Sequence, residues 1–308
     1  MSAPLKIGAR GSPLSLAQTG LVAGELEALH PGLKTQIVPI KTSGDKLSVS
    51  LAKVGGKGLF VKEIEEALLA GDIDLAVHSA KDMPTVLPEG LSIGAVPRRA
   101  DCRDVLLSRY PGGLPALPSK ARVGTSGLRR QAQLLAARPD LLVEPIRGNV
   151  ATRLAKLRTE FEATLLAAAG LARLGLKPER AEFLSPEIML PACGQGALVV
   201  ELRLDDLKSR EILQPLSHRP SLLALAAERG FLGQLGSGCQ LPVAALAELS
   251  GEVMTIDGLI ASLDGRRVVR QNRRAELDSE EAAANLGKLL ATELLEAGGR
   301  EIMEEIIP

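Results

Sequence analysis

Three kinds of side chain in this sequence stand where they could do chemistry. The first is a thiol. Cys239 lies in Gly236-Ser237-Gly238-Cys239-Gln240-Leu241-Pro242, a turn built on glycine rather than an apolar strand or helix face. Such backbone can bend away and leave the sulfur open to a covalent partner, although a small buried residue would also suit a turn. The second is a carboxylate, Asp82, in His78-Ser79-Ala80-Lys81-Asp82-Met83-Pro84, just after a strand-like run. Alone it reads more often as a turn former or cap than as a catalytic group. The third is a set of loop bases, Arg98-Arg99, Arg129-Arg130, Arg147 and Arg153. A guanidinium fork grips carboxylate or phosphate with two hydrogen bonds. Any one of these arginines suits a solvated surface, but several follow strands at helix starts, where anions bind.

Other chemistries find little support. Cys102, Cys193 and Cys239 are widely spaced with no C-x-x-C pair, so neither a disulfide framework nor a zinc site is expected. Cys102 and Cys193 read as packing residues in a reducing compartment. With 3 histidines, a histidine metal site is not expected, and His78 reads as packed or backbone-bonded. Aromatic content is 2% and net charge is zero, which disfavours base stacking and long-range attraction to nucleic acid or anionic membrane. The apolar runs are cut by Arg173 or by Glu228-Arg229, so no transmembrane helix is expected. The chain enters a strand-like run at Leu5, so no signal or transit peptide is expected.

These groups need a scaffold. At 308 residues, 45% hydrophobic and 24% charged, the chain suits a globular protein of two or three domains. Strand and helix patterns alternate, which predicts α/β architecture with mostly parallel sheets. A strand over 5–9 leads through Ser12, a good N-cap, and Pro13 into a helix ending near Leu29. Further strands are expected over 35–40, 72–78, 122–124, 141–146 and 163–169. Helices are expected over 57–70, from Leu128, and after Asn149 as N-cap. Polar and basic residues follow the strands of both halves, where open α/β sheets bind ligands. The tail differs: a helix over 221–232, the Cys239 turn, a β pair joined at Asp264-Gly265 and a last helix over 279–296.

Read together, Arg10-x-Ser12-Pro13-Leu14, Ala52-Lys53-Val54-Gly55-Gly56-Lys57-Gly58-Leu59-Phe60, His78-Ser79-Ala80-Lys81-Asp82, Gly124-Thr125-Ser126 with Leu128-Arg129-Arg130, Arg147-Gly148-Asn149, Gly194-Gln195-Gly196 and Gly238-Cys239-Gln240-x-Pro242 match one family in order. From about residue 5 onward the chain resembles the porphobilinogen deaminase (hydroxymethylbilane synthase) family. The resemblance implies a transferase of tetrapyrrole biosynthesis. Such an enzyme joins four porphobilinogen molecules head to tail, loses ammonia each time, and releases linear hydroxymethylbilane. It implies a dipyrromethane cofactor held by a thioether to Cys239.

It also implies two periplasmic-binding-protein-like (type II) α/β domains flanking a cleft, plus a C-terminal α+β domain. The divisions expected are 1–98 with 195–217, then 99–194, then 218–308. A cytoplasmic monomer is expected, with porphobilinogen as its small-molecule partner and no nucleic acid, membrane or metal.

Residue by residue, the resemblance makes Asp82 the catalytic carboxylate. Asp82 would help protonate the leaving amine, stabilise the azafulvenium cation and take up the α-proton after carbon–carbon bond formation, with electrostatics weighing as much as proton donation. Lys81, Ser79, Thr125, Ser126, Arg129, Arg130, Arg147 and Gly148 would bind the cofactor. Arg10, Ser12, Arg153, Arg173, Gln195, Lys57 and Phe60 would bind substrate. Lys57 would belong to a loop over the cleft, and Phe60 either stacks on a pyrrole or packs a helix. Three positions depart from the family's usual pattern: Gly127 for a second serine, Ser237 for a glycine, and Cys193 for Val or Pro. An unmodified anion- or solute-binding protein of the same fold is the competing reading; it needs neither Asp82 nor Cys239. A phosphate loop at Gly55-Gly56-Lys57-Gly58 is discounted, because the spacing and the residue after Lys57 are wrong.

Overall fold

The computed structural model describes residues 3–42, 61–236 and 241–306. The strands are β1 (Leu5–Arg10), β2 (Thr35–Ile40), β3 (Leu75–Ser79), β4 (Leu91–Ala95), β5 (Asp104–Ser108), β6 (Arg122–Gly124), β7 (Leu142–Glu144), β8 (Ala163–Ala167), β9 (Ala181–Phe183), β10 (Leu198–Arg203), β11 (Val243–Ser250), β12 (Val253–Ala261) and β13 (Val268–Glu276). The helices are α1 (Pro13–Leu29), α2 (Lys62–Ala70), α3 (Leu128–Ala137), α4 (Val150–Thr159), α5 (Ala168–Arg173), α6 (Leu207–Leu213), α7 (Arg219–Gln234), α8 (Glu280–Leu294) and α9 (Arg300–Glu304).

Two five-stranded sheets run β2-β1-β3-β10-β4 and β7-β6-β8-β5-β9. The two orders are equivalent, which is the duplicated α/β arrangement expected. The expectation of mostly parallel sheets needs correcting. In each sheet two pairings are parallel and two antiparallel. The antiparallel pairings arise because each sheet takes in one strand from the far side of a crossover, β5 on the way out and β10 on the way back.

That topology positions the site. An antiparallel strand starts where its parallel neighbours end. Asp104, first in β5, pairs with Ala167, last in β8; Leu198, first in β10, pairs with Ser79, last in β3. Both crossovers therefore deliver their residues to the carboxyl edges of the sheets.

Local signals account for most element starts. The Ser12 hydroxyl accepts the Ser15 N–H to cap α1, and Asn149 Oδ1 accepts the Thr152 N–H to cap α4. The strand expected over 163–169 ends at Ala167, and Ala168 begins α5. That apolar run is mostly buried in either conformation, so hydropathy did not mark the switch. The helix expected from Lys57 is described from Lys62, and residues 57–60 lie outside the described residues.

The third sheet is the antiparallel meander β11-β12-β13. One face packs Ile256 and Ile260 against Phe231 of α7 and Leu290 and Leu294 of α8. The other face sets Ala244, Leu246, Leu259 and Ala261 on Ala132 of α3 and on Leu190. Burying a side chain of leucine size contributes about 1.5–3 kcal/mol, so the meander is fixed to the second sheet's helix layer. Among the described residues no helix is long and apolar enough to cross a membrane.

Candidate active site

β3 ends in a single 3-10 turn, Ala80–Asp82, which presents Asp82 to solvent and leaves Lys81 half-buried. The Lys81 ammonium donates to Gln195 Oε1 at 3.3 Å. Burial holds Lys81 below its ordinary value; Asp82 and Asp104 oppose that shift, while Arg130 and Arg129 add to it. Gln195 is 1% exposed and sits in a tight loop of Gly194-Gln195-Gly196. Both glycines have positive φ, 72° and 87°. A Cβ on Gly194 would meet Lys81 N at 2.9 Å, and one on Gly196 would meet the Ala100 carbonyl at 2.6 Å. The loop is thus wedged between the Lys81 turn and the first crossover, with no room for a side chain on either glycine.

Across the cleft, Asp104 is fully buried and its carboxylate is saturated. Oδ2 accepts from Arg129 Nη2 at 2.7 Å; Oδ1 accepts from Arg130 Nε and Nη2 at 2.9 and 2.7 Å and from Gln195 Nε2 at 3.1 Å. Burial alone would push Asp104 up, but the two guanidiniums outweigh it and hold the carboxyl down at about 2. Arg129 is itself buried and also donates to the Leu190 carbonyl at 2.6 Å. Arg130 stays more open and donates to the Leu165 carbonyl at 3.0 Å.

The remaining bases carry less compensation. Burial lowers Arg153, and Arg130 lowers it further; its Nε donates to the Gly148 carbonyl at 3.0 Å. Burial alone lowers Arg173 to about 10, and its Nη2 donates to the Gly196 carbonyl at 2.7 Å. Arg147 and Gly148 are exposed just ahead of α4. Thr125 is buried, and its hydroxyl oxygen accepts the Gly127 N–H at 3.3 Å. Ser126 is exposed, but its one hydroxyl proton goes to the Ile146 carbonyl at 2.6 Å, which leaves it an acceptor only. Ser79 is half-buried at the end of β3. Arg10 ends β1, where its N–H donates to the Ser15 hydroxyl at 3.1 Å, and Ser12 caps α1. Lys57, Phe60, Ser237 and Cys239 lie outside the described residues.

Two features were missed from the sequence. One is Asp104, a charge at the head of the apolar strand β5; an aspartate immediately before the apolar run Val105-Leu106-Leu107 was the available signal. The other is the position of Glu228. This fully buried carboxylate takes Arg99 Nη1 and Nη2 at 2.5 and 3.1 Å, the Gly194 N–H at 2.5 Å and the Ala247 N–H at 2.9 Å. One side chain of α7 thereby pins both crossovers and β11. His78 is packed as expected, and its partner is a carboxylate rather than backbone: Nε2 bonds Glu201 Oε2 at 3.0 Å in a buried cluster that also includes Glu65. Cys193 is buried, which pushes its thiol up, as suits a packing residue. Among the described residues no cluster of histidine, cysteine, aspartate or glutamate could hold a metal ion.

Chemically, the arrangement gathers a solvent-facing carboxylate and several basic side chains at the carboxyl edges of two sheets, a set of groups able to engage ligand carboxylates.

Two family models match the chain: "Porphobilinogen deaminase, dipyromethane cofactor binding domain" over residues 5–211 and "Porphobilinogen deaminase, C-terminal domain" over 222–296. Curated relatives include the porphobilinogen deaminase of Syntrophobacter fumaroxidans, 50% identical over 305 residues, covering 98% of this chain and 97% of the relative. That of a Roseiflexus species is 49% identical over 305 residues, covering 98% of this chain and 99% of the relative. Among solved structures, the periplasmic aliphatic sulphonate binding protein SsuA from Escherichia coli is 14% identical with a TM-score of 0.40, over 77% of this chain and 71% of that one.

Proposed function

The chain belongs to the porphobilinogen deaminase family, and from that premise we propose that it is a hydroxymethylbilane synthase whose chemistry centres on Asp82, with dipyrromethane carried on Cys239. The observation that supports this most is an exposed Asp82 adjacent to Lys81, together with Arg130, Arg153 and Arg173; burial holds Lys81, Arg153 and Arg173 below their ordinary values. Dipyrromethane and porphobilinogen carry acetate and propionate groups, so the donor set fits them: guanidinium forks, one ammonium and the N-termini of α3 and α4. When bound, dipyrromethane supplies the pyrrole carbon on which the chain is built.

The protein's own groups then divide the work. Arg130, Arg153, Arg173, Arg147 and Arg10 hold carboxylates and fix the reacting carbons, and positioning of that kind lowers a barrier by making the encounter intramolecular. Lys81 and Ser79 hold the carboxylates nearest Asp82. Ser126 contributes a backbone N–H group at the head of α3 and Thr125 its hydroxyl, since the Thr125 N–H is committed to the Glu144 carbonyl; Ser12 contributes its N–H at the head of α1. Asp82 carries a proton to the departing amine as the carbon–nitrogen bond breaks, and takes one from the α-carbon after the new carbon–carbon bond forms. Arg129 and Gln195, with their donors turned inward, support this set. Lys57 and Phe60 complete substrate binding.

We divide the chain into domains at 1–98 with 195–217, 99–194 and 218–308, following the strand membership of the three sheets. A monomer in a reducing cytoplasm is our reading, and Cys102 and Cys193 as free thiols accord with that compartment. The test is turnover by Asp82→Asn. The variant keeps its cofactor mass but loses about 10²–10⁴-fold in kcat, the range expected when a positioned acid is removed. Turnover near wild type removes Asp82 from the role.

A further inference from the structure

The side-chain amide of Gln195 joins groups from both halves of the molecule. Its Oε1 accepts from Lys81 Nζ at 3.3 Å, and its Nε2 donates to Asp104 Oδ1 at 3.1 Å and to the Cys102 carbonyl at 2.8 Å. Its own carbonyl accepts from Arg99 Nε at 2.9 Å. The orientation is dictated by its neighbours: an ammonium demands the oxygen, while a carboxylate and a carbonyl demand the NH₂. Lys81 follows β3 of the first sheet, and Asp104 heads β5 of the second. Every hydrogen of the amide is thereby committed to protein. A buried amide in that state has no donor left for a substrate carboxylate.

We propose that Gln195 is a positioning residue, a dipolar link that fixes Lys81 beside Asp82 by coupling it to the Asp104–Arg129–Arg130 cluster. This rests on the reading of Lys81 and Asp82 given above, and it moves Gln195 from the substrate to the frame. The link explains why Gly194 and Gly196 flank this residue: only bare backbone lets the loop press against Lys81 N and the Ala100 carbonyl together. It also sets one neutral group among charges. Lys81 and Asp104 bond its side-chain amide and Arg99 bonds its carbonyl; Arg129 and Arg130 share Asp104, and Glu228 holds Arg99 and the Gly194 N–H.

The link can be reversed by one atom. Gln195→Glu puts an oxygen where the amide donates. While protonated, the new carboxyl can donate to Asp104; once ionised, it opposes Asp104 across about the same gap. Gln195→Met keeps the bulk and removes both polar ends.

The experiment compares wild type, Gln195→Glu and Gln195→Met on three readouts: intact mass for the cofactor, kcat and KM between pH 6 and 9, and acylation of Lys81 against exposed Lys208 by mass spectrometry. The proposal expects all three proteins to carry the cofactor. Gln195→Met loses about tenfold or more in kcat with KM near wild type, at a constant ratio to wild type across pH. In Gln195→Glu that ratio falls about tenfold as pH rises. Lys81 acylation, relative to Lys208, rises several-fold in Gln195→Met because the acceptor that ties it to the Asp104 cluster is gone. A loss confined to KM puts Gln195 on the substrate and overturns the proposal. So does a pH-independent ratio in Gln195→Glu, or unchanged Lys81 labelling in Gln195→Met. If Gln195→Glu does not fold, Gln195→Met and its labelling decide alone. A wild-type chain that carries no cofactor and turns over no porphobilinogen sinks the functional reading instead, and leaves the labelling result to judge the link.

Discussion

Asp104 Oδ1 accepts two hydrogen bonds from Arg130, Nε at 2.9 Å and Nη2 at 2.7 Å, while Oδ2 of the same carboxylate binds Arg129. Adjacent residues on a helix point about 100° apart. One buried anion pulls these two guanidiniums together. The pair is therefore a built unit, in which Arg129 is the more buried member and Arg130 the more open.

That unit should show in acid stability. The folded Asp104 carboxyl lies at about 2, below its ordinary 3.8, so its contribution is complete above 3.8 and is lost as pH falls through 2. The shift corresponds to about 2 kcal/mol. Asp104→Asn leaves two buried guanidiniums uncompensated and costs about 3 kcal/mol or more at neutral pH. Urea midpoints should show wild type and variant converging between pH 4 and pH 2. A gap that stays constant over that range contradicts the assignment.

Glu65 should act in the opposite sense. Burial, and then Glu201, raise its carboxyl to about 7, with His78 opposing. A raised acid stabilises the fold fully below its unfolded value of 4.5, and that contribution is lost as pH rises through 7. Glu65→Gln should therefore gain on wild type between pH 4.5 and 7, by on the order of 2 kcal/mol, and hold that gain above 7. Parallel stability curves for the two proteins would show that Glu65 does not titrate in this range.

Gly127 is a departure that the structure tolerates in either direction. It caps α3 with no side chain, and a Cβ there would meet Arg130 Cδ at 3.8 Å and Thr125 Oγ1 at 3.9 Å, ordinary contacts. Gly127→Ser should fold normally, add a few tenths of a kcal/mol through the cap, and lower KM for porphobilinogen if the new hydroxyl reaches a carboxylate. A melting temperature several degrees lower would show that the site has less room than this.

Much of the framework was legible in the sequence because the signals were local. Ser12 and Asn149 announced their helices by capping chemistry, and Asp264-Gly265 announced the β12–β13 turn, where Gly265 takes a φ of 70°. Asp82 and the arginines stood out by type and position after strands. What was hidden depends on contacts far apart in the chain. Asp104 and Gln195 are 91 residues apart, and Arg99 and Glu228 are 129 apart. The antiparallel entry of β5 and β10 likewise follows from the crossovers, and no periodicity within either strand encodes it. Gln195 and Arg129 stood out by residue type alone; their burial and their inward bonds, Arg129 to Asp104 and the Leu190 carbonyl and Gln195 to Lys81, Asp104 and the Cys102 carbonyl, depend on the fold.

The most direct test of the central claim is the intact mass of the purified chain. The account predicts a mass above the sequence value by two condensed pyrrole units, with the excess abolished in Cys239→Ser and retained in Asp82→Asn. A wild-type chain at its bare sequence mass, still bare after incubation with porphobilinogen, contradicts it.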